Sequence, residues 1–164
     1  MRCSLLLLAS TACAPMPVEL PTPRGREALT DPAAWALVDA ADDPFPDRPE
    51  GVTCGSGAWS VEVDGGEPAL EIDTTFCDYV VLRQPSLAEV LPGDLVRARI
   101  THDALTAEAP AEAHLAVVVG DVTVLDTTVP IPDAAGEDLA EVVVDEGCPE
   151  GATIWLHLHN HGDN

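Results

Sequence analysis

From about residue 51 onward the chain is predicted to be all-β, an antiparallel β-sandwich. Three observations predict it. Apolar residues recur at every second position, the side-chain period of a strand. The runs are short and are separated by turn residues about every 8–12 positions, the rhythm of sandwich strands. Two of the runs are joined by Gly120-Asp121 alone, a two-residue hairpin connection.

Ahead of that region lie two segments of other kinds. "MRCSLLLLASTACAP" carries Arg2, the apolar run Leu5–Ala9 and then small residues, the layout of an export signal over residues 1–13. The run is too short to span a bilayer. Cys13 follows Ser10-Thr11-Ala12 and resembles the lipidated cysteine of a bacterial lipoprotein box, although Ser10 stands where an aliphatic residue is usual. Lipidation of Cys13 is expected, and acyl chains there would hold the protein to a membrane face at about 0.8 kcal/mol per buried methylene. Plain secretion after cleavage near Ala12 or Ala14 is the alternative. Either way the protein is exported, as a cell-envelope lipoprotein or a secreted chain. Residues 14–50 are rich in proline and polar residues and read as a semi-rigid tether. Within it Thr30 or Asp31 can cap and Pro32 suits a first helical turn, so a short helix is expected at about 32–41, docking through Trp35.

The strands follow in order. In "WSVEVD" the residues Trp59, Val61 and Val63 share one face, predicted inward. "ALEIDT" puts Leu70 and Ile72 inward after an Asp64-Gly65-Gly66 turn. "FCDYVVLRQ" is apolar on both faces, the mark of a central strand. "PSLAEVL" suits one helical turn, and Pro92-Gly93-Asp94 fits a type II turn. "LVRARITH" places Val96, Ala98 and Ile100 inside and Arg97, Arg99 and Thr101 outside. "HLAVVV", "VTVLDTT", "LAEVVVD" and "ATIWLHLH" complete eight strands.

Charge narrows the function. Lys+Arg total 7 against 29 Asp+Glu, a net charge of −22, and all of the cations are arginine. Nucleic-acid binding needs a basic face and is excluded as an expectation. An electrostatic grip on anionic lipid is disfavoured for the same reason, so a membrane is reached only through the lipid anchor. Of the five cysteines, Cys3 and Cys13 belong to the export segment. In an oxidising compartment a Cys54–Cys77 disulfide is expected, contributing about 3 kcal/mol and leaving Cys148 unpaired. Cys77–Cys148 is the rival pairing, because spacing alone does not decide.

The pieces "VTC…AWSVE…LEIDTTFCDYVVLRQPSL…LPGDLVRARITHDAL" and "CPEGATIWLHLHNHGDN" resemble galactose-binding-like, carbohydrate-binding-module-like β-jelly-roll domains, most nearly those of uncharacterised lipoproteins of myxobacterial type. The resemblance covers about residues 43–164, and its most specific parts are "PGDLVRARI" and "HLHNHGDN". It implies a jelly-roll winding over residues 51–164 and a non-catalytic role, with carbohydrate or a cell-surface component as partner. Such domains finish with one more strand after the "NHG" turn, so this one is expected to lack its final strand and to leave an exposed edge.

Candidate site residues are few. On a strand, Trp155, His157 and His159 project together while Ile154, Leu156 and Leu158 point into the core, and His161 joins the first group if the strand continues. Three imidazoles on one face can ligate Zn²⁺ or Cu²⁺. The bland alternative is a solvent-side strand face leading into a turn. Structural Ca²⁺ is a second metal expectation, with Asp64, Glu67, Asp73 and Asp163 as oxygen donors near turns. For a sugar, Trp155 is the ring platform, and Arg97 and Arg99 are the polar grips, unless they pair with neighbouring acids. No nucleophile elbow, phosphate loop or Schiff-base lysine occurs in the sequence. The expected protein is a monomeric, lipid-anchored binding domain without catalysis, taking carbohydrate, or else a metal through the His-x-His-x-His segment, or else no small ligand at all.

Overall fold

A computed structural model describes residues 27–161, apart from 53 and 109. The export segment with Cys13, residues 14–26 of the proline-rich stretch and Asp163 lie outside the described residues. Nine strands form among the described residues: β1 (Ala36–Leu37), β2 (Trp59–Asp64), β3 (Glu67–Ile72), β4 (Tyr79–Pro85), β5 (Leu95–His102), β6 (Ala111–Val119), β7 (Val122–Ile131), β8 (Gly136–Val143) and β9 (Thr153–His161). The eight runs with period two are β2 to β9. Every strand pair is antiparallel.

The strands divide into a five-stranded sheet, in the order β1-β4-β9-β6-β7, and two pairs, β2-β3 and β5-β8. The pairing is nested: β4 with β9, β5 with β8, β6 with β7. Val80, Leu82, Leu115, Val129, Ile131 and Leu158 form one face of the large sheet, and Trp59, Leu70, Ile72 and Ile100 of the two pairs pack on it. Farther along, Val96 of β5 and Val144 pack with Val119, Val124 and Ile154. The result is a β-sandwich-like core, with each buried aliphatic side chain contributing about 1.5–3 kcal/mol. The β2–β3 hairpin closes through Gly65 and Gly66, with φ of 58° and 93°. That is left-handed backbone in which a side chain would be strained.

Cys54 and Cys77 form the expected disulfide, and Cys148 carries a free thiol. Cys148 instead pairs by backbone hydrogen bonds with Val90, which removes the rival pairing.

Several expectations fail. No helix forms among the described residues: the segment 32–41 makes a turn at Asp31 and then strand β1, and "PSLAEVL" is not helical. Gln84 Oε1 accepts the Asp31 amide, and Val38 donates its amide to Val81, so the backbone there is satisfied by β4 instead of by helical bonds. Val61 and Val63 are 47% and 74% exposed, because the β2–β3 hairpin runs past the edge of the core. Strand β9 is no edge; it lies between β4 and β6. Finally, the described part of the proline-rich stretch lies on the large sheet. Val38, Phe45 and Val52 pack with Tyr79, Val81 and Trp155 on the face away from the β2–β3 and β5–β8 layer.

Leu82 is fully buried, so Leu82→Ala is expected to lower unfolding free energy by about 2–5 kcal/mol, whereas Val63→Ala changes it by less than about 0.5 kcal/mol. Cys54→Ser is expected to cost about 3 kcal/mol, since the bridge closes a loop over a separation of 23 residues. Urea unfolding of the three variants checks all of these.

Candidate metal centre

The register of the large sheet sets the site. Tyr79 of β4, His159 of β9 and His114 of β6 stand side by side across three strands. One pleat along, Val81, His157 and Ala116 form the next row, and Arg83, Trp155 and Val118 the one after. Side chains two residues apart on a strand share a face, so four rings meet on one face of the sheet. The parity of Trp155, His157 and His159 is as the sequence implied. Their exposure is not: this face is covered. The segment 43–50 crosses it as a strap, with His157 0% exposed and His159 7% exposed beneath.

Local chemistry holds the strap. Pro44, Pro46 and Pro49 restrict the backbone, and the chain turns at Pro46-Asp47. Asp43 Oδ1 accepts the Phe45 amide at 2.9 Å, and its Oδ2 accepts the Tyr79 hydroxyl at 2.7 Å and Arg48 Nη1 at 2.9 Å. The Arg48 guanidinium lies 5.0 Å from the centre of the Tyr79 ring, a cation–π distance. Burial is the first cause that pushes the Tyr79 hydroxyl well above its usual pKa, and the Asp43 carboxylate adds to it. The Phe45 ring stacks on His157 at 4.4 Å and 16°, which fixes the imidazole from above.

Asp47 hangs from this strap into the histidines. Its Oδ2 lies 3.1 Å from His159 Nδ1, 3.3 Å from His157 Nε2 and 3.4 Å from His114 Nδ1. The His157 contact lies at ion-pair distance but off the hydrogen-bonding direction, and neither ring nitrogen of His157 has a hydrogen-bond partner. Asp47 Oδ1 is likewise buried without a partner. His114 turns its other nitrogen, Nε2, to Asp126 Oδ1 at 2.8 Å. A carboxylate behind an imidazole in this way fixes the ring and raises the basicity of the nitrogen that faces the centre.

The charges respond to one another. Burial raises the Asp47 pKa, but the hydrogen bond from His159, the charge of His157 and the hydrogen bond from His114 outweigh it and bring it down to about 2. His114 is lowered by burial and raised more by Asp126 and Asp47, ending above its ordinary value. For His157 burial dominates over the Asp47 carboxylate, and its pKa falls. Asp47 is thus held toward its anionic form and His157 toward its neutral form, the forms that ligate a metal, whereas His114 is held toward its protonated form.

Two groups of side chains bring their ligand atoms within 4.8 Å of one another: Asp47, His114 and His157, and Asp47, His159 and His161. The histidines read from the sequence therefore all belong to the site. Asp47 and His114, which sequence reasoning did not single out, complete it. Asp64 and Asp73, expected as calcium donors, are otherwise engaged: Asp64 pairs with Arg99 and Thr101, and Asp73 accepts the Thr75 amide in a turn. The expected sugar grips lie elsewhere. Arg97 pairs with Glu141 at 2.5 Å and Arg99 with Asp64 and Glu137, on the β5–β8 pair, whereas Trp155 packs on the Val38, Tyr79 and Val81 cluster of the large sheet. No family model, curated protein or solved structure matches the chain.

Tyr79→Phe is expected to cost about 1.5–3 kcal/mol, the worth of a hydrogen bond to a charged group, while leaving the sheet intact. Thermal unfolding, together with faster proteolytic cleavage within residues 43–50, reads it.

Proposed function

We propose that this protein is an exported, non-catalytic domain that binds a divalent transition-metal ion, Zn²⁺ or Cu²⁺, between Asp47 and the histidines of β6 and β9. The observation that carries the reading is the convergence of three imidazole nitrogens on one oxygen of Asp47, at 3.1–3.4 Å. A tetrahedral zinc with bonds of about 2.0–2.1 Å has ligand-to-ligand edges of about 3.3–3.4 Å. The distances from Asp47 Oδ2 to His157 Nε2 and His114 Nδ1 are those of ligands around one ion. As a set of hydrogen bonds alone it leaves His157 unsatisfied in a fully buried place, which is costly.

Other features agree. A net charge of −22 concentrates cations around the chain. Asp126 supplies the outer carboxylate that ligating histidines usually have. The metal would also tie the strap, through Asp47, to a sheet whose histidines come from distant parts of the chain. The disulfide suits an oxidising compartment, in line with export and a lipid on Cys13. The nested strand pairing supports the jelly-roll winding that the resemblance to galactose-binding-like domains implies. Carbohydrate binding through Trp155, Arg97 and Arg99 is the weaker reading, because those residues belong to different layers and each arginine already has acidic partners.

After stripping with a chelator, the protein is expected to take up Zn²⁺ with at least one ion per chain and to gain several degrees in Tm, since an ion at 100 times its Kd adds about 2.7 kcal/mol. Asp126→Ala is expected to weaken binding about 10–100-fold, and Arg97→Ala to leave it unchanged. Zinc affinity and Tm shift that survive both Asp47→Asn and His157→Ala would refute the site.

A further inference from the structure

We infer that the centre holds two ions, with Asp47 as the carboxylate they share. This rests on the metal reading above and extends it to a second, outer site formed by Asp47, His159 and His161. The ring geometry makes the case. An imidazole nitrogen lies about 1.1 Å from the ring centre, so two imidazoles on one tetrahedral zinc have centres about 5.2 Å apart. His114 and His157 are 4.9 Å apart at 68°, which suits one ion. His157 and His159 are 6.3 Å apart, beyond that span. The ligand atoms accordingly fall into two sets, Asp47 with His114 and His157, and Asp47 with His159 and His161.

The four histidines therefore divide into an inner and an outer pair on either side of Asp47. Asp47 is equipped to serve both. Its Oδ2 faces His114, His157 and His159, while its Oδ1 is buried with no hydrogen-bond partner. A carboxylate with a spare oxygen is the usual bridge of two-metal sites. The outer pair is looser. His159 and His161 are stacked at 3.6 Å and 30°, closer than two ligands of one tetrahedral ion, so one ring must turn away to bind. His161 is exposed at the end of β9 and has room to do so. The inner ion sits under the strap with His157 fully buried; the outer one opens to solvent. The inner site should therefore fill first and exchange slowly, and the outer site second and faster.

Native mass spectrometry of the full-length chain titrated with Zn²⁺, alongside electron paramagnetic resonance with Co²⁺, tests this. The wild type is expected to saturate at two ions, with the second Co²⁺ depressing the signal of the first through the shared carboxylate. His161→Ala is expected to stop at one ion and to keep the tighter affinity, His114→Ala to lose the tighter ion, and Asp47→Ala to lose both. Saturation of the wild type at one ion overturns the second site and leaves the inner one standing. Two ions in His161→Ala place the second elsewhere and overturn the shared carboxylate. No uptake by the wild type fails the metal reading itself.

Discussion

One carboxylate governs this face of the protein. Asp47 reaches from a proline-fixed strap to histidines 67 and 112 residues away in sequence, His114 and His159. Without it, a ring as buried as His157 would face only other rings and apolar groups, and the strap would lose its polar attachment to β6 and β9. Apolar side-chain contact also holds Val38, Phe45 and Val52, but apolar contact does not fix direction. The charge does, because ion-pair and coordination geometry tolerates less displacement than packing.

The two faces of the large sheet follow from different physics. On one, aliphatic side chains of β4, β6, β7 and β9 meet the β2–β3 and β5–β8 pairs, and area removed from water is what counts. On the other, polar rings are buried. That is favourable only where partners are provided, and the acids Asp43, Asp47 and Asp126 provide them. In an acidic chain these three are not interchangeable with the rest. Asp43 is used up by Tyr79 and Arg48. Asp126 orients His114 from outside. Asp47 alone faces the centre of the cluster, and its charge persists to about pH 2 because the histidines hold it.

How far this was legible in sequence depends on the range of the signal. Strand existence is local, and the period of two located β2 to β9. Depth is not local. The same alternation gave Val63 and Leu70 one status, although the hairpin carries Val63 to 74% exposure and leaves Leu70 against the core. The parity of His157 and His159 was readable, but whether their face meets water depended on a cover contributed from residues 38–52. Proline-rich composition suggested a free tether there. Proline in fact restricts the path equally well for a strap, and Val38, Phe45 and Val52, each seven residues from the next, were the available sign that this path has an apolar side.

Asp47 and His114 had no such sign. Each is a single polar residue among many acids or within an apolar strand, and a cluster assembled from a strap and two strands has no spacing to recognise. What makes them a set is the sheet register, which aligns His114 with His159 and Tyr79, and the strap, which lowers one carboxylate onto that row. Register in turn follows from burial: slipping β9 by one residue would turn Ile154, Leu156 and Leu158 out of the core and the histidines into it. The apolar half of β9 thus decides where its polar half points. The site depends on the sandwich in that specific sense, through the alternation of one strand with both of its faces covered.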